Sequence, residues 1–463
     1  MQSNIDFNTN IVLVGNFNIF NETYPGKLVL TQSDGSNFIF YADKEVVKDQ
    51  QNVTIYAKLY NEENETFFIT LQSCEITYVC YNSCSCTYQG FFSYAYISKQ
   101  SFFNVDTDKI KSIDLYNDAW TEFSCPQGFK SRECFIPEVL KVTIPNKLSI
   151  IFKQEIYQHF LPQDNIFDSL FSSTQINYET KLTIEKGLQE LLLPYQYQIG
   201  IKIPAKHEWY VSLKDLPTNA EICTMNYLFE SLVALLTHHF ESYTRKIIGT
   251  FEKNNGTLNN CIVLYNRQIS RPSLDYHSIA GAFRFNQFTK NEWEIILNNL
   301  FAKKDIIQNF MQIIYENHRY NYVSKFHIER YIDCIAAIGI SQNCKKNEKY
   351  QSVILKFVEN MEENQKVLIL KHLKSKLSAY LNLEIIGNKS DNELIGIGLS
   401  NLRASITHFS ETTQSASLSE LIGVYYILEL IIIDFLFRIL EISEIKRLNY
   451  KQLYLSRINL YEI

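Results

Sequence analysis

The strongest constraint on this chain is a change of hydrophobic period along its length. No proline follows Pro272, so nothing beyond it removes a backbone donor or forces a kink. From about residue 305 the apolar residues recur at three- and four-residue spacing. This predicts amphipathic helices over Asp305–Tyr315, Val323–Ile338, Tyr350–Met361, Gln365–Asn382, Leu394–Phe409 and Leu418–Leu440. An all-α bundle over residues 306–463 is long enough to bury its own core.

The residues before it follow a different rule. Ile11–Val14, Lys27–Leu30, Phe38–Tyr41, Val53–Tyr60, Thr66–Leu71, Tyr88–Ile97 and Val139–Ile144 are short β-branched and aromatic runs. Turn-forming clusters separate them, among them Tyr24-Pro25-Gly26 and Ser33-Asp34-Gly35-Ser36. Strands at this spacing predict an antiparallel sandwich or a barrel-like sheet. Residues 150–305 are mixed. Ile199–Ile203 and Ile262–Tyr265 read as strands, whereas Tyr227–Ile248 carries Leu228, Leu232, Leu235, Leu236 and Phe240 on one helical face. The expected fold class is α+β and multidomain: a β-rich region over 1–305, with a sub-boundary near 150, and a helical domain over 306–463. A chain of 463 residues exceeds what one core usually organises.

Charge limits the function. The formal net charge is −6, while a protein that coats nucleic acid must replace phosphate counterions and is usually basic. Any RNA-binding surface here is therefore local. The most apolar segment, Leu421–Leu440, is interrupted by Glu429, Asp434 and Arg438, which predicts a buried core helix rather than a membrane span. The first residues lack a basic stretch followed by an apolar core, so no secretory signal is expected. Ten cysteines without such a signal fit reduced thiols in a cytoplasm. Cys74, Cys80, Cys84 and Cys86 are dense enough to raise zinc, but their spacing is irregular and their neighbours are strand formers, which favours packing cysteines. His207 and the pair His238-His239 lack a ligand pattern and read as surface or core histidines. There is no Walker-type Gly-x-x-x-x-Gly-Lys-Ser/Thr, since Gly396-Ile-Gly398 has no lysine after it, and no His-Glu-x-x-His. No cofactor or metal is expected.

One constellation carries chemistry. In Asn401-Leu402-Arg403-Ala404-Ser405-Ile406-Thr407-His408-Phe409, Arg403 and His408 are separated by four residues. Leu399, Leu402, Ile406 and Phe409 would form the buried stripe, leaving His408 one turn above the small Ala404. An arginine and a histidine suit RNA cleavage without a metal. The 2′-hydroxyl attacks the adjacent phosphorus, histidine moves the proton, and the arginine fork neutralises charge on the phosphoryl oxygens. One such pair is sparse, so two copies joined in a dimer would make a fuller site. By spacing alone the motif is common, and a solvated arginine beside a helix-end histidine is the competing reading.

The carboxy-terminal region resembles the HEPN superfamily, specifically the Apea-like HEPN domain of ApeA-type anti-phage defence proteins. The resemblance rests on Asn401–Phe409, the polar loop after it, the long apolar helix Leu418–Leu440, and Tyr322–Tyr331, which is similar to the first long HEPN helix. Pro25–Leu28, Thr66–Cys74 and Ser101–Trp120 are similar to the ApeA amino-terminal domain. The resemblance implies a homodimer through the HEPN domain, a composite ribonuclease site built from Arg403 and His408, and a defence role that damages host or phage RNA in response to a phage-derived trigger. Ala404 departs from the polar residue common at that position. Ser405 and Thr407 could supply hydroxyls to RNA in its place. Lys446 and Arg447, with Lys451 and Arg457, give the tail a basic tilt with Tyr450 and Tyr454 interleaved for stacking; a solvated terminal helix is the alternative. Glu329 and Arg330 lie on the expected first helix. The rival function is a non-catalytic HEPN scaffold that dimerises or binds RNA, joined to a ligand-binding β half.

Overall fold

A computed structural model describes residues 11–31, 36–43, 50–82, 85–117, 140–144, 148–157, 206–214, 222–240, 244–265, 283, 287–319, 322–341, 348–381, 387–407 and 418–460. The chain is α+β and forms two compact units. One comprises Met1–Cys223 and Tyr243–Ser273; the other comprises Thr224–Ser242 and Leu274–Ile463.

The first unit is an antiparallel sheet that closes on itself at one end. Strands β1 (Ile11–Ile19), β2 (Glu22–Leu30), β3 (Asn37–Ala42), β4 (Gln50–Tyr60), β5 (Thr66–Asn82) and β6 (Ser85–Phe91) run in the order β4-β1-β2-β3-β6-β5, and β4 pairs with β5 to complete a barrel. Alternation drives closure: Leu13 and Phe17 of β1, Phe38 and Phe40 of β3, Ile55, Ala57 and Leu59 of β4, and Phe67, Ile69 and Leu71 of β5 all face the interior. Phe40 of β3 and Tyr88 of β6, paired on adjacent strands, stack with centroids 4.9 Å apart. β7 (Tyr94–Ser98), β8 (Lys109–Asn117), β9 (Leu140–Ile144), β10 (Leu148–Tyr157), β11 (Lys206–Lys214), β12 (Thr244–Glu252) and β13 (Leu258–Tyr265) extend the sheet from β5, in the order β7-β13-β12-β8-β11-β10-β9.

Several local expectations change. Tyr24-Pro25-Gly26 is not a turn but lies within β2; the hairpin turns at Phe20-Asn21, both left-handed at φ 51 and 65. Gly26 is needed for close approach: a Cβ there would lie 2.2 Å from the Ile39 carbonyl oxygen. Tyr88–Ile97 is two strands, β6 and β7. Cys74 and Cys86 are buried in the barrel core, and burial pushes the Cys74 thiol up. Cys80 lies on β5, whereas Cys84, and the run Ile199–Ile203, lie outside the described residues. Among the described residues no group of His, Cys, Asp and Glu is placed to hold a metal ion.

The second unit is helical: α1 (Ile222–Thr237), α2 (Lys290–Ala302), α3 (Lys304–His318), α4 (Lys325–Ser341), α5 (Tyr350–Glu359), α6 (Glu363–Lys376), α7 (Asp391–Thr407), α8 (Leu418–Ile439) and α9 (Glu444–Leu460). It takes in α1 and α2, so its boundary falls earlier than the change of period suggests. The helix expected over Tyr227–Ile248 stops at Thr237: His238 takes φ 58, and Thr244 opens β12. α8 packs against α3, α4, α6 and α9, and α7 against α4, α5 and α6. Among the described residues no helix is long and apolar enough to cross a membrane. We predict that Gly26→Ala destabilises the barrel by about 1–3 kcal/mol, because the new methyl must push strand backbones apart. Urea unfolding followed on the β signal would check it; an unchanged midpoint would mean that β2 and β3 part there at no cost.

Candidate functional site

Arg403 belongs to a helix with a well-made start. Ser390 and Glu393 cap each other at the first turn of α7, the Ser390 amide donating to Glu393 Oε2 at 2.7 Å and the Glu393 amide to Ser390 Oγ at 3.3 Å. Leu394, Ile395, Leu399, Leu402 and Ile406 form its buried face. Gly398 serves packing, since a Cβ there would meet the Leu377 side chain at 3.0 Å. Phe409 and His408 lie outside the described residues.

On the edge of the buried face Arg403 meets two residues that sequence reasoning missed. Its Nε donates to Asp333 Oδ1 of α4 at 2.7 Å, and the guanidinium carbon sits 4.6 Å from the Tyr350 ring centroid. The Tyr350 hydroxyl donates to the same Asp333 oxygen at 2.6 Å. Asp333 raises the Arg403 pKa, so the cation is secure, while burial and Asp333 push the Tyr350 phenol up and keep it protonated. The Arg403 side chain remains 31% exposed. The signal for Asp333 was present: it lies one helical turn beyond Glu329, on the face that α4 turns toward α7.

The other candidate residues separate by environment. Thr407 Oγ1 lies 2.6 Å from Glu329 Oε1 and 3.0 Å from the Arg403 carbonyl oxygen. Ser405 donates to the Leu402 carbonyl at 2.7 Å, so its hydroxyl serves its own helix. Ala404 is exposed. Arg330 pairs with Glu316 at 3.0 Å on the surface.

No known protein family, curated protein or solved structure matches this chain.

Among the described tail residues, the basic side chains are each paired with a carboxylate. Lys446 pairs with Glu292 and its ammonium sits over the Phe288 ring. Arg447 is buried, with its guanidinium committed to Asp434 Oδ1 at 3.2 Å, Glu362 Oε1 at 2.8 Å and the Ile442 carbonyl at 3.0 Å. Lys451 Nζ is 2.6 Å from the same Asp434 oxygen, and Tyr450 and Tyr454 are buried as well. Arg447, Tyr450, Lys451 and Tyr454 thus build an interior, because α9 meets the buried carboxylates Glu429 and Asp434 of α8. Arg457 is on α9, outside the residues whose side chains are described.

Burial pushes the Lys451 ammonium down to about 8, against the pull of Asp434. In the unfolded chain lysine titrates near ~10.4, so between these values the unfolded state holds more protons and stability rises with pH. We predict that wild type shows a more positive slope of unfolding free energy between about pH 8 and 10 than Lys451→Met, measured by urea titration at each pH. Equal slopes would mean that Lys451 keeps its proton throughout.

Proposed function

We propose that the chain is a defence endoribonuclease of the HEPN kind, cutting RNA at a composite site to which two copies contribute Arg403 and His408, and restrained in the cytoplasm until infection. The observation that carries this reading is Arg403: a cation fixed in direction by Asp333 and Tyr350, partly open to solvent, beside an exposed alanine methyl. A guanidinium held by one edge suits a phosphate, which takes the fork through two oxygens. In the reaction the substrate 2′-hydroxyl gives up its proton as its oxygen bonds to phosphorus. The 5′-oxygen leaves and is protonated, so the products are a 2′,3′-cyclic phosphate and a 5′-hydroxyl. Arg403 would meet the non-bridging oxygens, and His408, five residues on, would move the proton.

The scaffold reading draws on a different observation. Asp333 already neutralises Arg403, and Ala404 offers no polar atom to RNA. The two readings separate in cells. We predict that wild-type protein, under phage challenge, generates new 2′,3′-cyclic phosphate ends, and that Arg403→Ala and His408→Ala each lower their yield by about 10²–10⁴-fold. The check is sequencing of RNA ends with and without phage. Protection that persists in both variants with an unchanged set of ends would leave the scaffold in place of the nuclease.

A further inference from the structure

α4 has two polar faces, and only one meets Arg403. Glu329 and Asp333 reach α7, whereas Tyr331 between them is fully buried and donates its hydroxyl to Glu429 Oε2 of α8 at 3.0 Å. Glu429 is itself fully buried. His318 Nε2 lies 2.8 Å from Oε2, Tyr454 donates to Oε1 at 2.8 Å, and His238 Nε2 is 3.8 Å from Oε1. The Tyr450 hydroxyl is 2.9 Å from His238 Nδ1, and the Tyr425 and Tyr331 hydroxyls are 3.5 Å apart. One carboxylate therefore gathers the ends or faces of α1, α3, α4 and α9 onto α8.

A dry carboxylate needs a positive partner. Here, among the described residues, imidazoles and phenols surround it. His318 is the last residue of α3, and His238 directly follows α1. Helix C-termini favour a cation. Both imidazoles keep some exposure, 24% and 19%, whereas Glu429 has none. Burial alone would raise the Glu429 carboxyl; the His318 charge and hydrogen bond, then His238 and Tyr454, hold it down to about 2. His318 Nε2 and Glu429 Oε2, 2.8 Å apart, form an ion pair when the imidazole is protonated. Burial and Glu429 push the Tyr331, Tyr425 and Tyr454 phenols up, so they stay donors. His327 of α4, pushed down by burial, Arg330 and His318, favours its neutral form beside Tyr425.

We infer that Glu429 is a positioning residue for the Arg403 site: by taking the Tyr331 hydroxyl it fixes the rotation of α4, and hence where Asp333 meets Arg403, and this hold requires His318 in its imidazolium form. The consequence for RNA cleavage rests on the proposed nuclease; the effect on α4 does not.

The test is amide hydrogen exchange of the full chain at about pH 5 and pH 8.5, on either side of the ordinary histidine range, corrected for intrinsic rates, in wild type, His318→Gln and Tyr331→Phe. His318→Gln keeps a side-chain donor without the titration, and Tyr331→Phe keeps the ring and removes only the hydroxyl. Wild-type α4 amides should lose about tenfold in protection on going to the higher pH, a factor that corresponds to about 1.4 kcal/mol. Tyr331→Phe should lose protection at both pH values, and His318→Gln should remove the pH dependence. Equal α4 protection and equal pH dependence in all three proteins would overturn the inference. RNA cleavage is scored separately, with Arg403→Ala as the control. If wild type gives no Arg403-dependent cleavage, the nuclease reading falls while the exchange data still decide the role of Glu429. If it cleaves, and Tyr331→Phe keeps the wild-type pH profile, positioning is refuted even though the nuclease stands.

Discussion

The helical unit is organised around charges shielded from solvent. Glu429 and Asp434 both lie on α8, at 0% and 2% exposure, inside the most apolar stretch of the chain. Each must be answered by a partner, because removing one member of a buried ion pair costs about 3–5 kcal/mol. Glu429 draws on the helix ends carrying His238 and His318; Asp434 draws on Arg447 and Lys451 of α9 and on Arg438 one turn along α8. Ion pairs are more directional than apolar contacts, and these two carboxylates tie α8 to its neighbours at two fixed points along its length.

That constraint bears on the candidate site through α4. Two residues apart, Tyr331 and Asp333 point to opposite sides of one helix, the first to the buried carboxylate and the second to Arg403. A rotation of α4 that broke one bond would move the other. Arg403 is thus aimed by a chain of contacts that ends in the interior, although the arginine itself is partly in solvent.

How much of this was legible in the sequence follows from the range of each interaction. Alternation in β1 to β5 and three- to four-residue spacing after residue 305 are local signals, and the elements form where those signals place them. The hairpin at Phe20-Asn21 was hidden because a bulky residue rarely adopts positive φ, while Pro25-Gly26 carries turn chemistry that pairing with β1 and β3 overrides. The helix predicted over Tyr227–Ile248 overshoots because Phe240, Ile247 and Ile248 continue an apolar pattern past Thr237, where the helix stops. The charges in Leu421–Leu440 mark a core helix, but their partners lie on other helices and no periodicity encodes them. The basic tail misleads for the same reason: a lysine whose carboxylate is far away in sequence looks like a surface lysine.

The Arg403–Asp333 pair shows why a weak interaction suits this position. Both side chains are substantially exposed, and such pairs contribute only about 0–1 kcal/mol. Asp333 orients the guanidinium through Nε without holding it against competition, and Tyr350 limits its tilt by covering one face. A phosphate arriving at the open side would meet a cation already directed, and loosening the carboxylate's grip would cost it little. A buried partner such as Asp434 would have made the arginine permanent structure, as it does for Arg447. The difference between these two arginines is therefore one of burial, and burial decides which of them remains available for chemistry.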